Sequence, residues 1–457
     1  MRYFSTRSGK PDKSFTEVVM TGMAEDGGLF LPEVFPDFSG RLPELKGLSY
    51  SELAFEVMKP FAGDISEADL QDIVKRSYAT FNTPEVVPVK KLSSCYLAEL
   101  FCGPTFAFKD VALQFLGNLF EYILEKKGGR LNIIGATSGD TGSAAIYGVK
   151  GRKHIKIVIL FPEGRVSGVQ KLQMTTVADS NVNTLEVAGT FDDCQSIVKT
   201  LFADLEFKQK YTLGAVNSIN WARILAQIVY YFYCFLRLDE KEVNFVVPTG
   251  NFGNIFAGWC ARAMGLPIEK LILATNSNDI LHRFVARGDY STRTVIPTAS
   301  PAMDIQLASN FERYLYYLLG RDALKLTSAM QELKKTGKIV FEVETLLKVE
   351  KEFLSCGVND EMIKKTIRSV YEKDAYIADP HTACGIYATQ HLGLPAERTI
   401  VLSTAHPAKF PDVVEETLDV KPVEPDALAR VHTLPSRTSS VSASVAEVKK
   451  LLEQLFA

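Results

Sequence analysis

From about residue 95 onward, short apolar runs alternate with helical patterns, and this alternation limits the folds open to the chain more than any other feature. The apolar runs have the length of buried strands, and we predict strands at Leu131–Ala136, Ile155–Phe161, Val182–Val187, Val243–Val247, Leu271–Thr275 and Thr399–Ser403. Most of these runs are followed by apolar residues at three- and four-residue spacing, as in Phe191–Leu205 and Asn254–Met264. Strands that alternate with helices predict βαβ units, and therefore an α/β fold whose parallel sheets are covered on both faces.

The N-terminal region, residues 1–94, has a different texture and is predicted to be mostly helical. Three serine–acid pairs have the spacing of a capping box: Ser14-x-x-Glu17, Ser49-x-x-Glu52 and Ser66-x-x-Asp69. Pro84 and Pro88 then interrupt the helical pattern and mark a boundary.

Two later segments also depart from the alternating pattern. Residues 320–375 are rich in Lys and Glu at helical spacing, which predicts a mostly helical insertion. The tail begins with a Ser/Val-rich stretch from Ser436, which we interpret as a linker, and ends in a predicted short helix from Ala446 to Phe456.

Composition excludes several classes of function. The 457 residues are 46% hydrophobic and 23% charged, as in ordinary globular proteins, and the formal net charge of −3 gives no electrostatic reason to expect nucleic acid or an anionic membrane. The 7 cysteines are scattered without a C-x-x-C pair, which argues against disulfides and structural zinc and favours a reducing compartment. The six histidines show no metal-binding spacing, so no metal site is predicted.

Two segments bear on targeting and membrane insertion. Residues 1–10 lack the apolar core of a signal peptide, so we predict a cytoplasmic location. The most apolar long stretch, Trp221–Leu238, contains Arg223, Gln227 and Arg237. These polar residues predict a buried core helix rather than a membrane span.

Lys109 stands at an unusual place for a lysine. The stretch Gly103-Pro-Thr-Phe-Ala-Phe-Lys109-Asp110 follows a strand-like run and precedes a helical pattern, with apolar Phe106 and Phe108 beside the turn. One interpretation is an ordinary lysine whose stem packs while its ammonium reaches water. The other is a desolvated amine that forms Schiff bases.

Two strand ends run into glycine-containing turns that open helices, at 136–145 and 248–255. A helix N-terminus offers free N–H groups, and glycine allows an anion to approach the backbone, although tight βα turns without a ligand are also common. The Walker pattern is absent, and Gly250 and Gly253 are spaced G-x-x-G rather than as a dinucleotide fingerprint. A lysine at a buried turn together with phosphate cradles suggests a cofactor that is both an aldehyde and a phosphate, pyridoxal 5′-phosphate.

The motifs on which these features lie resemble those of the threonine synthase family, in its bacterial and fungal branch. They are Tyr3–Arg7, Ala24–Pro32, Gly103–Asp110, Ala136–Ala145, Asn217–Arg223, Pro248–Asn254, Ala274–Leu281, Met303–Ile305, Ser309–Arg313, Asp379–Ala383 and Ser403–Phe410. The resemblance covers nearly all of the chain to about residue 415. The sequence departs from the family pattern at Cys102, where histidine is usual, and at Ser8, where glycine is usual.

The resemblance implies the fold-type-II architecture of pyridoxal enzymes, similar to the tryptophan synthase β subunit. Two open, twisted parallel-sheet domains would enclose the cofactor in a cleft. The large, cofactor-binding domain would comprise 95–129 and 216–430 and the small domain 130–215, with a C-terminal tail over 431–457.

The resemblance also implies roles for individual residues. Lys109 would be the catalytic, Schiff-base lysine. The cofactor phosphate would lie in a cradle formed by Gly250, Asn251, Phe252, Gly253 and Asn254. Thr404 would face the pyridine nitrogen. The turn that holds the substrate carboxylate would comprise Ser138, Asp140 and Thr141.

A phosphorylated substrate also needs cationic partners. Arg223 is the leading candidate because a guanidinium fork matches phosphate, although a helix-surface ion pair is the alternative. Lys409 and Arg7 are weaker candidates, and Asn217 and Ser218 would orient the substrate.

The implied reaction converts O-phospho-L-homoserine and water to L-threonine and phosphate. Two alternatives remain open: a phospholyase that acts on O-phosphothreonine or O-phosphoserine, and a catalytically silent binding protein of the same fold. The expected partner is a small phosphoamino acid, with neither nucleic acid nor membrane, and the expected assembly is a monomer or small homo-oligomer.

Overall fold

The protein, described by a computed structural model over residues 1–456, is built on two separate β-sheets. The large sheet has six strands in the spatial order Phe353–Gly357, Ile268–Thr275, Val243–Pro248, Thr399–Ser403, Tyr96–Glu99 and Val89–Lys91. All neighbours pair in parallel except Val89–Lys91, which is antiparallel at one edge. Every residue of the inner strand Val243–Pro248 is buried, because helices cover both faces of the sheet.

The small sheet has five strands, all paired in parallel. Their order is Ser439–Ser442, Val182–Ala188, Ile155–Pro162, Leu131–Ala136 and Leu213–Gly214. Two further pairs of short strands are antiparallel: Tyr3–Ser5 with Phe30–Pro32, and Tyr290–Ser291 with Lys338–Ile339. The predicted α/β class is confirmed, and each of the predicted strands is present with bounds close to those expected.

Helices connect the strands and cover the sheets. The α-helices are Phe15–Thr21, Leu42–Leu45, Tyr50–Met58, Glu67–Tyr78, Lys109–Lys127, Asp140–Val149, Gly168–Thr175, Phe191–Ala203, Leu205–Lys210, Trp221–Arg237, Gly253–Ala263, Ile280–Arg287, Phe311–Leu318, Ala323–Thr336, Val343–Glu352, Asp360–Asp374, Pro380–His391, Pro411–Leu418, Asp426–Ala429 and Val445–Phe456. Short 3-10 turns are Ser39–Arg41, Pro301–Met303, Ala396–Arg398, Pro407–Lys409 and Arg430–Thr433.

The N-terminal region contains four α-helices joined by long irregular stretches, and its capping serines act as expected. Ser14 and Ser49 form reciprocal capping boxes with the glutamates three residues later. Ser66 caps its helix by accepting a hydrogen bond from the Asp69 N–H. The region packs on the core through Tyr50–Met58, which contacts the helix Trp221–Arg237.

The helix Trp221–Arg237 is the predicted core helix, and it is buried from Trp221 through Leu236. It also contacts the helices Lys109–Lys127 and Gly253–Ala263, which both begin at the predicted site. Over residues 1–456, none of the helices combines the length and apolar character needed to cross a membrane.

The segment 320–375 contains more than the predicted helices. Its run Phe353–Gly357 forms the edge strand of the large sheet, paired with Ile268–Thr275. This strand is short and lies between two charged helices. The helical pattern on both sides is therefore stronger than the short apolar run, and the sequence does not predict a strand here. The segment is therefore not helical throughout, because it also supplies the edge strand of the large sheet.

The C-terminal segment 431–457 also differs from the predicted linker and helix. The helix is present at Val445–Phe456, but Ser439–Ser442 before it is a strand of the small sheet. Only Val441 of this strand points into the core, while the three serines are exposed. A single apolar residue among serines is typical of a linker, which is why the sequence does not predict an edge strand here.

Candidate active site

Residues that follow four strand ends of the two sheets meet in one cleft. Such a position, outside the carboxyl ends of parallel strands, is where open α/β folds bind ligands. The cleft brings together seven of the predicted site residues: Lys109, Asp140, Gly250, Asn251, Phe252, Asn254 and Thr404. Asp140 comes from the small sheet and the other six come from the large sheet, so the cleft lies between the sheets.

The Lys109 amine is buried at the centre of this cleft. Lys109 is the first residue of the helix Lys109–Lys127 and is only 9% exposed. Its Nζ lies 3.8 Å from Asp140 Oδ2 and 4.9 Å from the ring centroid of Phe108. Burial lowers the pKa of Lys109, and the positive charges of Lys409 and Arg223 lower it further against the opposing effect of Asp140. The amine therefore lies in a cleft rather than in bulk water, and its environment favours the neutral form.

The turn before Lys109 is fixed by Asp110. The Asp110 carboxylate accepts hydrogen bonds from the Thr105 N–H and from the Thr105 hydroxyl, both at 2.8 Å. Gly103 leaves room for it, because a Cβ at that position would collide with the Asp110 side chain. Burial raises the pKa of Asp110 to about 6, although the bonds from Thr105 oppose the rise.

Backbone hydrogen bonds hold the Lys109 turn against the segment that carries Thr404. The Phe108 N–H donates to the Thr404 carbonyl at 2.8 Å, and the His406 N–H donates to the Phe106 carbonyl at 3.0 Å. Phe106 adopts a left-handed φ of 59°, which is rare for a residue with a side chain and is maintained by these contacts. The lysine and the predicted pyridine-facing threonine are thus fixed relative to one another.

Asp140 forms a buried ion pair across the cleft with Lys409. Lys409 Nζ lies 2.7 Å from Asp140 Oδ1 and donates to the Thr105 carbonyl at 2.8 Å, and Lys409 is fully buried. Gln170 Nε2 donates to the same Asp140 oxygen at 2.8 Å. Burial raises the pKa of the Asp140 carboxyl, but Lys409 and Lys109 outweigh this effect and hold it well below the ordinary value.

The predicted phosphate cradle lies at the start of the helix Gly253–Ala263. Phe252 adopts a left-handed φ of 67°, and the Gly253 N–H donates to Asn251 Oδ1 at 2.9 Å. The Asn254 amide oxygen Oδ1 accepts a hydrogen bond from the Tyr230 hydroxyl at 2.5 Å, and the Tyr231 hydroxyl donates to the Asn254 backbone carbonyl at 2.9 Å and lies 3.1 Å from Oδ1. These bonds fix the amide so that Asn254 Nδ2, which is buried and has no hydrogen-bond partner in the described chain, remains available as a donor.

Arg223 is a buried cation without an anionic partner among residues 1–456. It is 3% exposed, the single hydrogen bond of its guanidinium is from Nη1 to the Val216 carbonyl at 3.1 Å, and its Nε has no partner in the described chain. Burial lowers the pKa of Arg223 to about 10. The alternative of a helix-surface ion pair is therefore wrong, and a buried guanidinium of this kind is suited to an anionic ligand.

The two weaker cationic candidates, in contrast, already have carboxylate partners. Arg7 contacts both carboxylate oxygens of Glu312, at 3.1 Å and 3.0 Å, and Lys409 is paired with Asp140. Their charges are compensated within the protein, which makes both weaker partners for a substrate phosphate than Arg223.

The remaining predicted substrate residues lie nearer the surface. Ser138 and Asn217 are exposed, and Thr141 and Ser218 are half-buried. The Ser218 hydroxyl lies 3.3 Å from that of Ser309. These side chains are accessible to a ligand from solvent.

A buried network behind the cleft was not predicted from the sequence. The Ala302 N–H donates to His381 Nε2 at 3.2 Å, so His381 carries its proton on Nδ1 and donates it to Asp379 Oδ1 at 2.9 Å. Asp379 also accepts a hydrogen bond from the Thr382 hydroxyl, and this hydroxyl oxygen accepts one from the Thr404 N–H at 3.2 Å. One carboxylate thereby positions two walls of the cleft.

The sequence motifs include some residues of this network, but they do not include Gln170, which donates to Asp140. Asp379, His381 and Thr382 lie in a quoted motif, but their contacts with Ala302 and Thr404 arise only in the folded chain. Over residues 1–456, no group of three His, Cys, Asp or Glu residues is arranged to hold a metal ion.

The donors in the cleft fit pyridoxal 5′-phosphate. A buried amine with a lowered pKa, that of Lys109, lies at one side. At another side, the unpartnered Asn254 Nδ2 lies at a helix N-terminus, where free N–H groups attract phosphate. An aldehyde and a phosphate on one molecule match these two features.

Comparison with known proteins agrees with this chemistry. A family model for the threonine synthase N terminus matches residues 2–78, one for pyridoxal-phosphate-dependent enzymes matches 78–350, and one for the threonine synthase C-terminal region matches 382–452. Threonine synthase of Saccharomyces cerevisiae is 46% identical to this chain, over 99% of this chain and 97% of its own length. That of Pseudomonas aeruginosa is 45% identical, over 99% and 98%.

A solved structure is similar over the whole chain as well. The crystal structure of pyridoxal-phosphate-bound threonine synthase from Brucella melitensis superposes with a TM-score of 0.97 at 44% identity, and covers 100% of this chain and 99% of that one. Sequence, fold and site geometry lead to one conclusion: the chain belongs to the threonine synthase family of pyridoxal-phosphate-dependent enzymes.

Proposed function

We propose that this chain converts O-phospho-L-homoserine and water to L-threonine and inorganic phosphate, with pyridoxal 5′-phosphate as its cofactor. The proposal depends above all on one observation: in a member of this family, a buried lysine amine and a helix N-terminus with an unpartnered amide donor line one cleft, and the buried, unpaired guanidinium of Arg223 lies close enough to that amine to lower its pKa. When bound, pyridoxal 5′-phosphate supplies an aldehyde that condenses with amines and a conjugated ring that accepts electron density from the substrate Cα.

Lys109 is the residue that we assign to proton transfer at the substrate Cα. A base must be unprotonated near neutral pH, and burial lowers the pKa of Lys109 in that direction. Phe108 covers one side of the amine and limits the access of water. The turn fixed by Asp110 holds the start of the helix that carries this amine in place.

The large sheet supplies the groups that we assign to cofactor binding. Asn254 and the backbone from Gly250 to Gly253 hold the phosphate at the helix N-terminus. The Thr404 hydroxyl would face the pyridine nitrogen. Because a hydroxyl is neutral, it would leave that nitrogen largely unprotonated and moderate the electron demand of the ring.

Arg223 is the residue that we assign to the substrate phosphate. A phosphate that leaves as a dianion needs positive charge, and this guanidinium has no competing carboxylate among the described residues. On the other side of the substrate, the turn at Ser138, Asp140 and Thr141 holds the α-carboxylate through hydroxyl and N–H groups at the start of the helix Asp140–Val149. Asn217 and Ser218 orient the substrate between the two anionic ends.

Several broader features belong to the same proposal. The large and small sheets form two domains, with 95–129 and 216–430 in the first and 130–215 with the strand Ser439–Ser442 in the second. We place the protein in the cytoplasm, because its seven cysteines all have free thiols. Its partner is a small phosphoamino acid, and it acts as a monomer or small homo-oligomer.

A product assay tests the function. The purified, cofactor-loaded protein is incubated separately with O-phospho-L-homoserine, O-phosphothreonine and O-phosphoserine, and amino acids, 2-oxo acids and phosphate are quantified. We expect threonine and phosphate in equal amounts from phosphohomoserine. If phosphate and a 2-oxo acid form from the other two compounds while phosphohomoserine yields no threonine, the protein is a phospholyase instead. If none of the three is turned over, the silent binding protein replaces both.

A further inference from the structure

Lys409 was expected at the substrate phosphate, but its surroundings suit another task. It lies in the turn Pro407–Lys409, is fully buried, and directs its ammonium at Asp140 Oδ1 and at the Thr105 carbonyl. Asp140 belongs to the small sheet's side of the cleft, whereas Lys409 and Thr105 belong to the other side. The contact therefore joins the two sides of the cleft directly beside Lys109.

The Asp140 carboxylate is shared unequally between two lysines. Its Oδ1 is 2.7 Å from Lys409 Nζ, a charge-assisted hydrogen bond, while its Oδ2 is 3.8 Å from Lys109 Nζ, beyond hydrogen-bond distance. Gln170 donates to Oδ1 and keeps the carboxylate in this orientation. One negative charge cannot compensate two buried ammonium groups, and the short, charge-assisted contact of Asp140 is made to Lys409 rather than to Lys109.

We propose that Lys409 is a positioning residue: by holding the charge of Asp140, it leaves the Lys109 amine neutral and able to react. The inference depends on the proposed function, in which Lys109 is the reactive amine. It assigns to Lys409 a role in the chemistry without contact with the substrate.

The other charged groups around Lys109 do not replace this contact. Asp110, on the same helix, is bound by the Thr105 N–H and hydroxyl, and Arg223 on the helix Trp221–Arg237 adds positive charge. His406, next to Lys409, is uncharged near neutral pH because burial lowers its pKa to about 4. Without Lys409, the cation left within 4 Å of the Asp140 carboxylate is therefore Lys109 itself.

The sign of the effect follows from these contacts. In Lys409→Met, the uncompensated Asp140 carboxylate stabilises the ammonium form of Lys109, so the pKa of Lys109 rises. The reaction rate of the Lys109 amine, plotted against pH, then begins to rise at a higher pH, so the acidic limb of this profile moves to higher pH. In the double variant Lys409→Met/Asp140→Asn both charges are absent, so the limb returns towards that of the wild type.

The test measures the reactivity of the Lys109 amine directly. Pyridoxal 5′-phosphate is added to cofactor-free protein between pH 6 and 10, and the rate at which its visible absorbance appears is recorded, because only the neutral amine condenses with the aldehyde. An opposite charge at this distance shifts a pKa by about 1–3 units. For Lys409→Met we expect the midpoint of this rate–pH profile to rise by at least about 1 pH unit, and the condensation rate at pH 7 to fall at least about tenfold. The pH profile of kcat should move in the same direction.

Two controls accompany the measurement. Lys449→Met removes an exposed lysine that pairs with Asp204 at 2.6 Å, away from the cleft, and should leave the midpoint unchanged. Should Lys409→Met fail to fold, as judged by circular dichroism, Lys409→Gln replaces it; a glutamine can still donate hydrogen bonds here but has no charge, and the same rise is expected.

The inference is overturned if a folded Lys409 variant keeps the wild-type midpoint, or if the double variant is shifted as far as the single one. Failure of the proposed function gives a different result. In that case, borohydride reduction of the cofactor-loaded wild type attaches the cofactor to a residue other than Lys109, or to no residue at all.

Discussion

Arg223→Met separates a ligand-binding arginine from a structural one, because the two roles predict opposite effects on stability. Burial lowers the pKa of Arg223 from 12.5 to about 10, so keeping the charge in the folded state costs about 3 kcal/mol. Methionine fills a similar volume without charge, and the variant loses only the hydrogen bond to the Val216 carbonyl, about 1 kcal/mol. The cofactor-free variant is therefore expected to be about 1–3 kcal/mol more stable than the wild type.

Activity should change in the opposite direction. Loss of a charge-assisted contact to the departing phosphate costs about 2–4 kcal/mol in the transition state, or about 30- to 1000-fold in kcat/KM for phosphohomoserine. The assays are urea unfolding of the cofactor-free protein and initial rates of phosphate release from the loaded enzyme.

Arg313 provides a matched control. It is equally buried, and burial also lowers its pKa to about 10, but its guanidinium donates to the Phe30 carbonyl, to Asn310 Oδ1 and to the Ile219 carbonyl. Arg313→Met should therefore destabilise the protein, by about 2–4 kcal/mol. If Arg223→Met is also destabilised and its folded fraction retains full activity, Arg223 is structural and the assignment of the substrate phosphate is wrong.

Three further substitutions test other parts of the structure. Gly253→Val should reduce the affinity for pyridoxal 5′-phosphate at least about tenfold, because a Cβ there lies 3.1 Å from Asn251 Oδ1 and a branched side chain displaces the cradle; equilibrium dialysis measures the affinity, and wild-type affinity would contradict the assignment. Asp379→Asn removes the negative charge to which His381 Nδ1 and the Thr382 hydroxyl donate and replaces one acceptor oxygen with an NH2 donor, so it should weaken cofactor binding with little loss of secondary structure; an unchanged Kd would show that the network does not position the cleft. Val441→Asp places a charge at a buried position of the edge strand and should lower stability by about 2–4 kcal/mol in thermal unfolding, whereas an unaffected protein would mean that the strand contributes nothing to the small sheet.

The sequence predicted those parts of the structure that local patterns specify. Strands such as Val182–Ala188 and Thr399–Ser403 appear as apolar runs because parallel strands are buried on both faces. The burial of Lys109 was one of two open interpretations, since the motif around it shows apolar neighbours but not the depth of the cleft. The capping serines were predictable because a cap and its helix are adjacent in the chain.

Features that depend on distant parts of the chain were not predictable in this way. The pairing of Lys409 with Asp140 requires that both sides of the cleft be in place, and nothing near Lys409 in the sequence indicates that Asp140 is its partner. Likewise, Arg7 appears as a free cation until the fold places Glu312 against it. The edge strand at Ser439–Ser442 carries one buried side chain, too little for a pattern.

The most direct test of the central claim is to identify the lysine that binds the cofactor. The protein is loaded with pyridoxal 5′-phosphate, treated with borohydride, which reduces the carbon–nitrogen double bond to a stable single bond, and digested for mass spectrometry. Two lysines lie beside Asp140, so the measurement distinguishes them within one cleft. The account predicts the modification on Lys109 alone and an unmodified Lys109→Ala variant. Modification of Lys409 or of any other lysine, or none at all, would contradict it.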